Sequence, residues 1–157
     1  MTALSAQHDT FVIERTLNHP VACVYAAFSE HEAKTRWFGG APDQWQALER
    51  KFDFRVGGSE RASGKWAATG IVSRFDATYL DIQAEARIVY VYEMHLDDKK
   101  ISVSLATIEF EANGAGTKLT ITEQGVFLDG YDDAGSRKHG TGYLMDAMEA
   151  SLEKRAA

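Results

Sequence analysis

The chain has 157 residues, 45% hydrophobic and 11% aromatic, enough for one domain whose core buries roughly two-thirds of its unfolded surface. Acidic residues outnumber basic ones 23 to 17 and no basic stripe exists to track a phosphate backbone, which argues against nucleic acid as a partner. The single Cys23 forbids an internal disulfide, no apolar run is long enough to span a bilayer, and Met1 to Thr10 lacks the basic-then-apolar order of a signal peptide, so the expected location is cytoplasmic.

Residues 1–9 read as an N-terminal tail and 10–157 as a single domain. Phe11, Ile13, Arg15 and Leu17 alternate with Val12, Glu14 and Thr16, an opening strand whose apolar face is interrupted only by Arg15. Pro20 suits the first turn of a short helix with Val21, Val24, Tyr25 and Phe28 as its buried stripe. Ser29 and Glu32 have the spacing of a capping box, which restarts a second short helix. That helix runs to Trp37 and Phe38, where Gly39, Gly40 and Pro42 stop it, and the two adjacent rings are expected to plug one end of the interior.

Sheet begins at Trp45: one strand to Phe54, a break at Gly57 and Gly58, a strand through Arg61 and another from Trp66 to Phe75. Arg87 to Leu96 is the clearest strand, with Ile88, Tyr90, Tyr92, Met94 and Leu96 inward and Glu93 and His95 outward. Ile101 to Phe110 follows the mixed-charge turn at 97–100, and Asn113 to Gly116 signals a hairpin into Thr117 to Glu123, where Leu119, Ile121 and Glu123 share a face. Gly125 to Gly135 reads as a loop, with Ser136 as N-cap of the last element. That element, over 140–155, is an amphipathic helix with the stripe Leu144, Ala147, Met148, Ser151, Leu152. Gly140 and Gly142 in its first turns imply a close approach to the sheet. The order of strand, two short helices, six strands and long helix predicts an α+β fold, a curved antiparallel sheet wrapped over the C-terminal helix.

Arg15 and Pro20 with Val24, Ala27 and Phe28; Trp37-Phe38; Asp53-Phe54-Arg55-Val56-Gly57-Gly58; Gly70; Gly116-Thr117-Lys118-Leu119-Thr120; and Glu123-Gln124-Gly125 together resemble the bacterial homologues of the C-terminal domain of Hsp90 ATPase activators. These belong to the START-like (SRPBCC) helix-grip superfamily, with polyketide cyclases, plant pollen allergens of the Bet v kind and lipid-transfer domains. The resemblance runs from about Phe11 to Leu152 and implies a seven-stranded sheet gripping the last helix, with a cavity between them. Many relatives carry Gly-Trp near the start of that helix; here the stretch is Gly140-Thr141-Gly142-Tyr143, so a role for that tryptophan does not transfer.

Within such a fold, Trp37, Phe38, Trp45, Trp66, Tyr90, Tyr92, Phe127 and Tyr143, with Met148 of the helix stripe, are expected to converge on the cavity. Arg15 and Glu123 interrupt apolar faces of the first and last strands, which are neighbours in a helix-grip sheet. They are expected to meet as an ion pair or to anchor one end of the cavity, the alternative being that both reach solvent at strand ends. No ligand spacing for zinc or calcium exists among the five histidines, Cys23 and the Asp129 to Asp133 run, and no nucleophile, phosphate or dinucleotide motif is present. No metal, cofactor or catalytic residue is assigned. The first functional expectation is a binder of a small hydrophobic or aromatic molecule, monomeric or homodimeric and without a membrane partner. The alternatives are a polyketide cyclase or dehydratase, in which tyrosine hydroxyls, Arg15 or Glu123 steer an enolate, and an Hsp90 activator-like chaperone partner.

Overall fold

The computed structural model describes residues 3–156, with side chains as far as Lys154. In chain order the elements are β1 (Ala6–Leu17), α1 (Val21–Ser29), α2 (His31–Thr35), β2 (Trp45–Phe52), β3 (Ser59–Trp66), β4 (Val72–Gln83), β5 (Arg87–Leu96), β6 (Lys99–Asn113), β7 (Gly116–Leu128) and α3 (Ala134–Ala156). The strands form one antiparallel sheet in the order β1-β7-β6-β5-β4-β3-β2. It curves over α3, so the α+β helix-grip architecture expected from the element order is the one observed.

Several boundaries differ from the sequence reading, each for a local reason. β1 opens at Ala6, paired with Leu128, and β7 runs on to Leu128 through the stretch read as loop from Gly125. The polar outward residues His8, Thr10 and Gln124 conceal the alternation there, whereas continuous pairing between the two strands decides it. β3 does not stop at Arg61 but continues to Trp66, and a turn with Gly70 at φ +72° leads into β4. The capping box does not form: only Glu30 separates α1 from α2, so Ser29 is itself helical and no side chain caps α2. α3 starts at Ala134, two residues before the expected N-cap, with Asp133 accepting from the Ser136 N–H at 2.8 Å and from its hydroxyl at 3.1 Å.

The concave face is divided. Over one half, Ile108 and Phe110 of β6, Leu119 and Ile121 of β7, and Phe11, Ile13 and Leu17 of β1 pack against Val24, Ala27 and Phe28 of α1 and Met145, Met148 and Leu152 of α3. Met145, absent from the expected stripe, is more deeply buried than Leu144. Over the other half the inward residues of β6 shrink to Ser102, Ser104 and Ala106. Cross-strand register then sets small beside large. One row reads Glu123, Ala106, Tyr90; the next Gly125, Ser104, Tyr92, Ala77, Glu60; the third Phe127, Ser102, Met94, Phe75, Ala62. α3 leans on β1 and α1 and leaves space over this half, lined by Ala62, Phe75, Tyr90, Tyr92 and Met94, while Ala77 and Ala106 are buried in a second cluster with those rings.

Candidate functional site

That space is a cavity of about 440 Å³. Trp37, Phe38, Trp45, Trp66, Tyr90, Tyr92 and Tyr143, all expected at a ligand cavity, line it together with Phe75 and Met94. Trp37 is fixed by its indole N–H donating to the Ala27 carbonyl at 2.9 Å, and Phe38 meets Phe75 edge to face at 4.9 Å between centroids. Trp45 donates to the Ser73 hydroxyl at 3.1 Å and lies flat over Gly64, where an added Cβ would stand 1.9 Å from the indole. Trp66 and Tyr143, 37% and 58% exposed, frame the mouth with His139 and Thr141 of α3. Two of the expected residues lie elsewhere. Met148 is wholly buried in the packed half, and Phe127 sits beneath Arg137, whose guanidinium carbon is 5.4 Å from the ring centroid.

Glu123 is 5% exposed at the cavity floor and Arg15 is not its partner. In register Arg15 faces Leu119 and Glu123 faces Phe11, four positions apart and therefore roughly 13 Å along the strands. The Arg15 guanidinium turns instead to α3, donating to Asp146 at 2.6 Å and to the Gly142 carbonyl at 3.1 Å. The expected ion pair is thus replaced by a clip between β1 and α3. Gly142 has its role in that contact, whereas an added Cβ at Gly140 would meet nothing within 4 Å, so the expected close approach is absent there.

The actual partner of Glu123 is Tyr92, whose hydroxyl donates to Oε1 at 2.5 Å. Arg137, in the first turn of α3, donates to the Tyr92 oxygen at 2.9 Å, to the Ser102 hydroxyl at 2.8 Å and to Asp132 at 2.9 Å. Burial pushes the Glu123 carboxyl above the usual carboxylate range, against the opposing pull of the Tyr92 bond and the Arg137 charge. Burial also raises the Tyr92 phenol, and Glu123 adds to the effect, so Tyr92 remains a neutral donor. Beside Glu123 in the adjoining row, the Ser104 hydroxyl is fully buried without a hydrogen-bond partner among the described residues.

A second polar cluster closes the far end. Lys34 of α2 and Glu60 of β3 form an ion pair at 2.6 Å, with side chains 7% and 4% exposed, and Tyr79 donates to the same Glu60 oxygen. Burial, then the Glu60 charge, drives the Tyr79 phenol far above its ordinary value. The Lys34 ammonium also lies 4.6 Å from the Phe38 ring centroid. None of Lys34, Glu60, Tyr79 and Arg137 was singled out from sequence, yet two signals exist. Glu60 is in phase with Ala62 and Gly64, while Arg61 and Lys65 occupy the opposite phase, which marks Glu60 as inward. Arg137 is a cation in a first helical turn, where the dipole disfavours it, and therefore has another task.

Glu93 and His95 face outward, as expected. His95 lies 3.9 Å from both Asp76 and Glu93 on the convex side, and burial lowers its basicity. Among the described residues no group of three or more His, Cys, Asp or Glu could hold a metal ion, and no helix is long and apolar enough to cross a membrane. Cys23 is exposed and remote from the cavity lining.

The model of the family described as Activator of Hsp90 ATPase homolog 1-like protein matches residues 18–153. The chain is similar to a solved structure from Rhizobium leguminosarum at 48% identity, covering 98% of this chain and 99% of that one with a TM-score of 0.91. It is also similar to the Mll3558 protein of Rhizobium loti at 39% identity, covering 94% and 99% with a TM-score of 0.85. An AHSA1-like protein from Aeromonas hydrophila, 17% identical, shares the fold over 94% of each chain at a TM-score of 0.73. No curated protein matches the chain.

Proposed function

Because this chain belongs to the Activator of Hsp90 ATPase homolog 1-like family of the START-like helix-grip superfamily, we propose that it binds a small, flat, largely apolar molecule between sheet and α3. The observation that carries this reading is the aromatic-walled space of about 440 Å³, within the size range of small-molecule sites. Folded cores are close-packed, and a void lined by Trp37, Phe38, Trp45, Phe75, Tyr90 and Tyr92 forfeits dispersion contacts that an occupant restores. The walls are held by hydrogen bonds at Trp37 and Trp45 and by the Lys34–Glu60 pair, so little ordering accompanies binding.

The test is native mass spectrometry of protein purified gently from its own host, followed by a thermal-shift panel of aromatic and lipid compounds. A reproducible released molecule, or a shift abolished by filling the cavity with Ala62→Leu, supports the reading. A clean apo mass with no shift across the panel refutes it and favours a partner bound at the outer surface, as the family's description suggests for Hsp90. An Hsp90-type interaction would survive Ala62→Leu.

A further inference from the structure

The two polar groups on the cavity floor define what part of the occupant they receive, an inference that rests on the binding reading above. Tyr90 and Glu123 lie in one cross-strand row with the buried Ala106 between them, which places their Cα atoms about 10 Å apart. Both line the cavity. Arginine has only donors, so the Tyr92 oxygen accepts from Arg137 and its one proton goes to Glu123 Oε1. Glu123 Oε2 and the Tyr90 hydroxyl have no hydrogen-bond partner among the described residues.

Charge counting favours the acid form of Glu123. Lys34 is matched by Glu60 and Arg137 by Asp132, leaving the buried Glu123 without a cation of its own. A proton held by this carboxyl belongs on Oε2, because Oε1 already receives one. Two O–H donors, from Glu123 and Tyr90, then stand at the cavity wall with no protein acceptor among the described residues, so an occupant that displaces water from them has to accept in its place. We propose that the occupant is an aromatic carbonyl compound whose oxygen accepts from Glu123 and Tyr90, with its rings between Trp45, Phe75 and Tyr92.

The probes are naphthalene, 2-acetylnaphthalene and 2-(aminomethyl)naphthalene, three molecules with one aromatic body and no, an accepting or a cationic polar group. Binding is read by amide chemical-shift titration of wild type, Glu123→Gln and Tyr90→Phe between pH 5 and 8.5. The acetyl compound is expected to bind roughly 3- to 10-fold tighter than naphthalene, the scale of one net hydrogen bond. Its advantage should fall as pH rises through the elevated Glu123 titration. Glu123→Gln keeps the advantage but loses the pH dependence, since its amide oxygen takes the Tyr92 proton and its NH₂ donates at every pH. Tyr90→Phe reduces the advantage roughly threefold. The titratable and charged groups facing Glu123 are Tyr90 and Tyr92 of β5 and Arg137 and His139 of α3, with Asp132 behind Arg137 and Lys34 and Glu60 at the far end. Glu123→Gln removes the Glu123 contribution and leaves the others in place. Equal binding of naphthalene and its acetyl derivative overturns the carbonyl assignment while the binding reading stands. Tightest binding of the amine, strengthening with pH, overturns it in favour of a cation on the Glu123 carboxylate. No shift at cavity amides with any probe overturns both.

Discussion

Lys34→Met tests whether the buried ion pair holds α2 onto the sheet. At the observed 2.6 Å and an effective dielectric of about 20, the Lys34–Glu60 attraction is about 6 kcal/mol. Desolvation of several kcal/mol per ion opposes it, so the intact pair contributes little net. Removing the lysine alone is different: Glu60, 4% exposed, keeps its desolvation cost and loses its ion-pair partner, with Arg50 as a more distant cation and Tyr79 as its one remaining hydrogen-bond donor among the described residues. Lys34→Met is therefore expected to cost about 3–5 kcal/mol in urea unfolding monitored by tryptophan fluorescence. The triple variant Lys34→Met, Glu60→Leu, Tyr79→Phe removes every polar member together and should recover most of that loss. A loss under about 1 kcal/mol for Lys34→Met, or a triple variant no better than the single one, refutes the account of a costly orphaned carboxylate.

Gly64→Ala places a methyl group inside the Trp45 indole, so it should cost about 1–3 kcal/mol and shift the fluorescence of that residue, checked by denaturation and emission spectra. Gly140→Ala, in a helix interior with open space around the new Cβ, should stabilise by about 1 kcal/mol, measured as a rise in Tm. Glu123 and Asp76 give opposite pH behaviour. Burial raises the Glu123 titration, so its favourable share of stability is complete below the unfolded value near 4.3 and is lost as pH rises through the folded one; Glu123→Gln should gain on wild type across that window. Asp76 is raised by burial but lowered further by bonds from Arg74 and Arg61, so its share is present above about pH 3.9 and lost as pH falls through the depressed value; Asp76→Asn should flatten the acid limb of the stability profile.

How far the sequence revealed these features follows from the range of the forces involved. Alternation in β5 and the stripe of α3 are local patterns, and they located the inward faces of Tyr90, Tyr92 and Met148 correctly. The seven-stranded grip was legible through residue patterns shared with a family, because element order and glycine punctuation recur with the fold. Partnerships were not legible. Arg15 and Glu123 stand on adjacent strands, yet the register offsets them by four residues, and register emerges only from the summed pairing of whole strands. Arg137 follows the expected N-cap Ser136 and so stood at the helix start in the sequence reading, but its inward aim at Tyr92 and Ser102 depends on how α3 sits on the sheet. Helix boundaries erred where two signals competed: Ser29 has capping chemistry, but the run of α1 had already claimed it.

The segregation of small residues on the concave face bears on how such a protein changes over generations. Ala62, Ser73 and Met94 floor the cavity on β3, β4 and β5, while Phe110 and Leu119 carry the packed half on β6 and β7. A mutation at a floor position reshapes what is held without loosening the packing that folds the chain, provided it leaves the two polar clusters intact. Stability and ligand choice thus rest on different residues, apart from side chains such as Ile108 and Ile121 that serve both. A lineage can explore new cargo by exchanging alanine, serine and valine there, one methyl group at a time, from a scaffold that stays folded throughout the search.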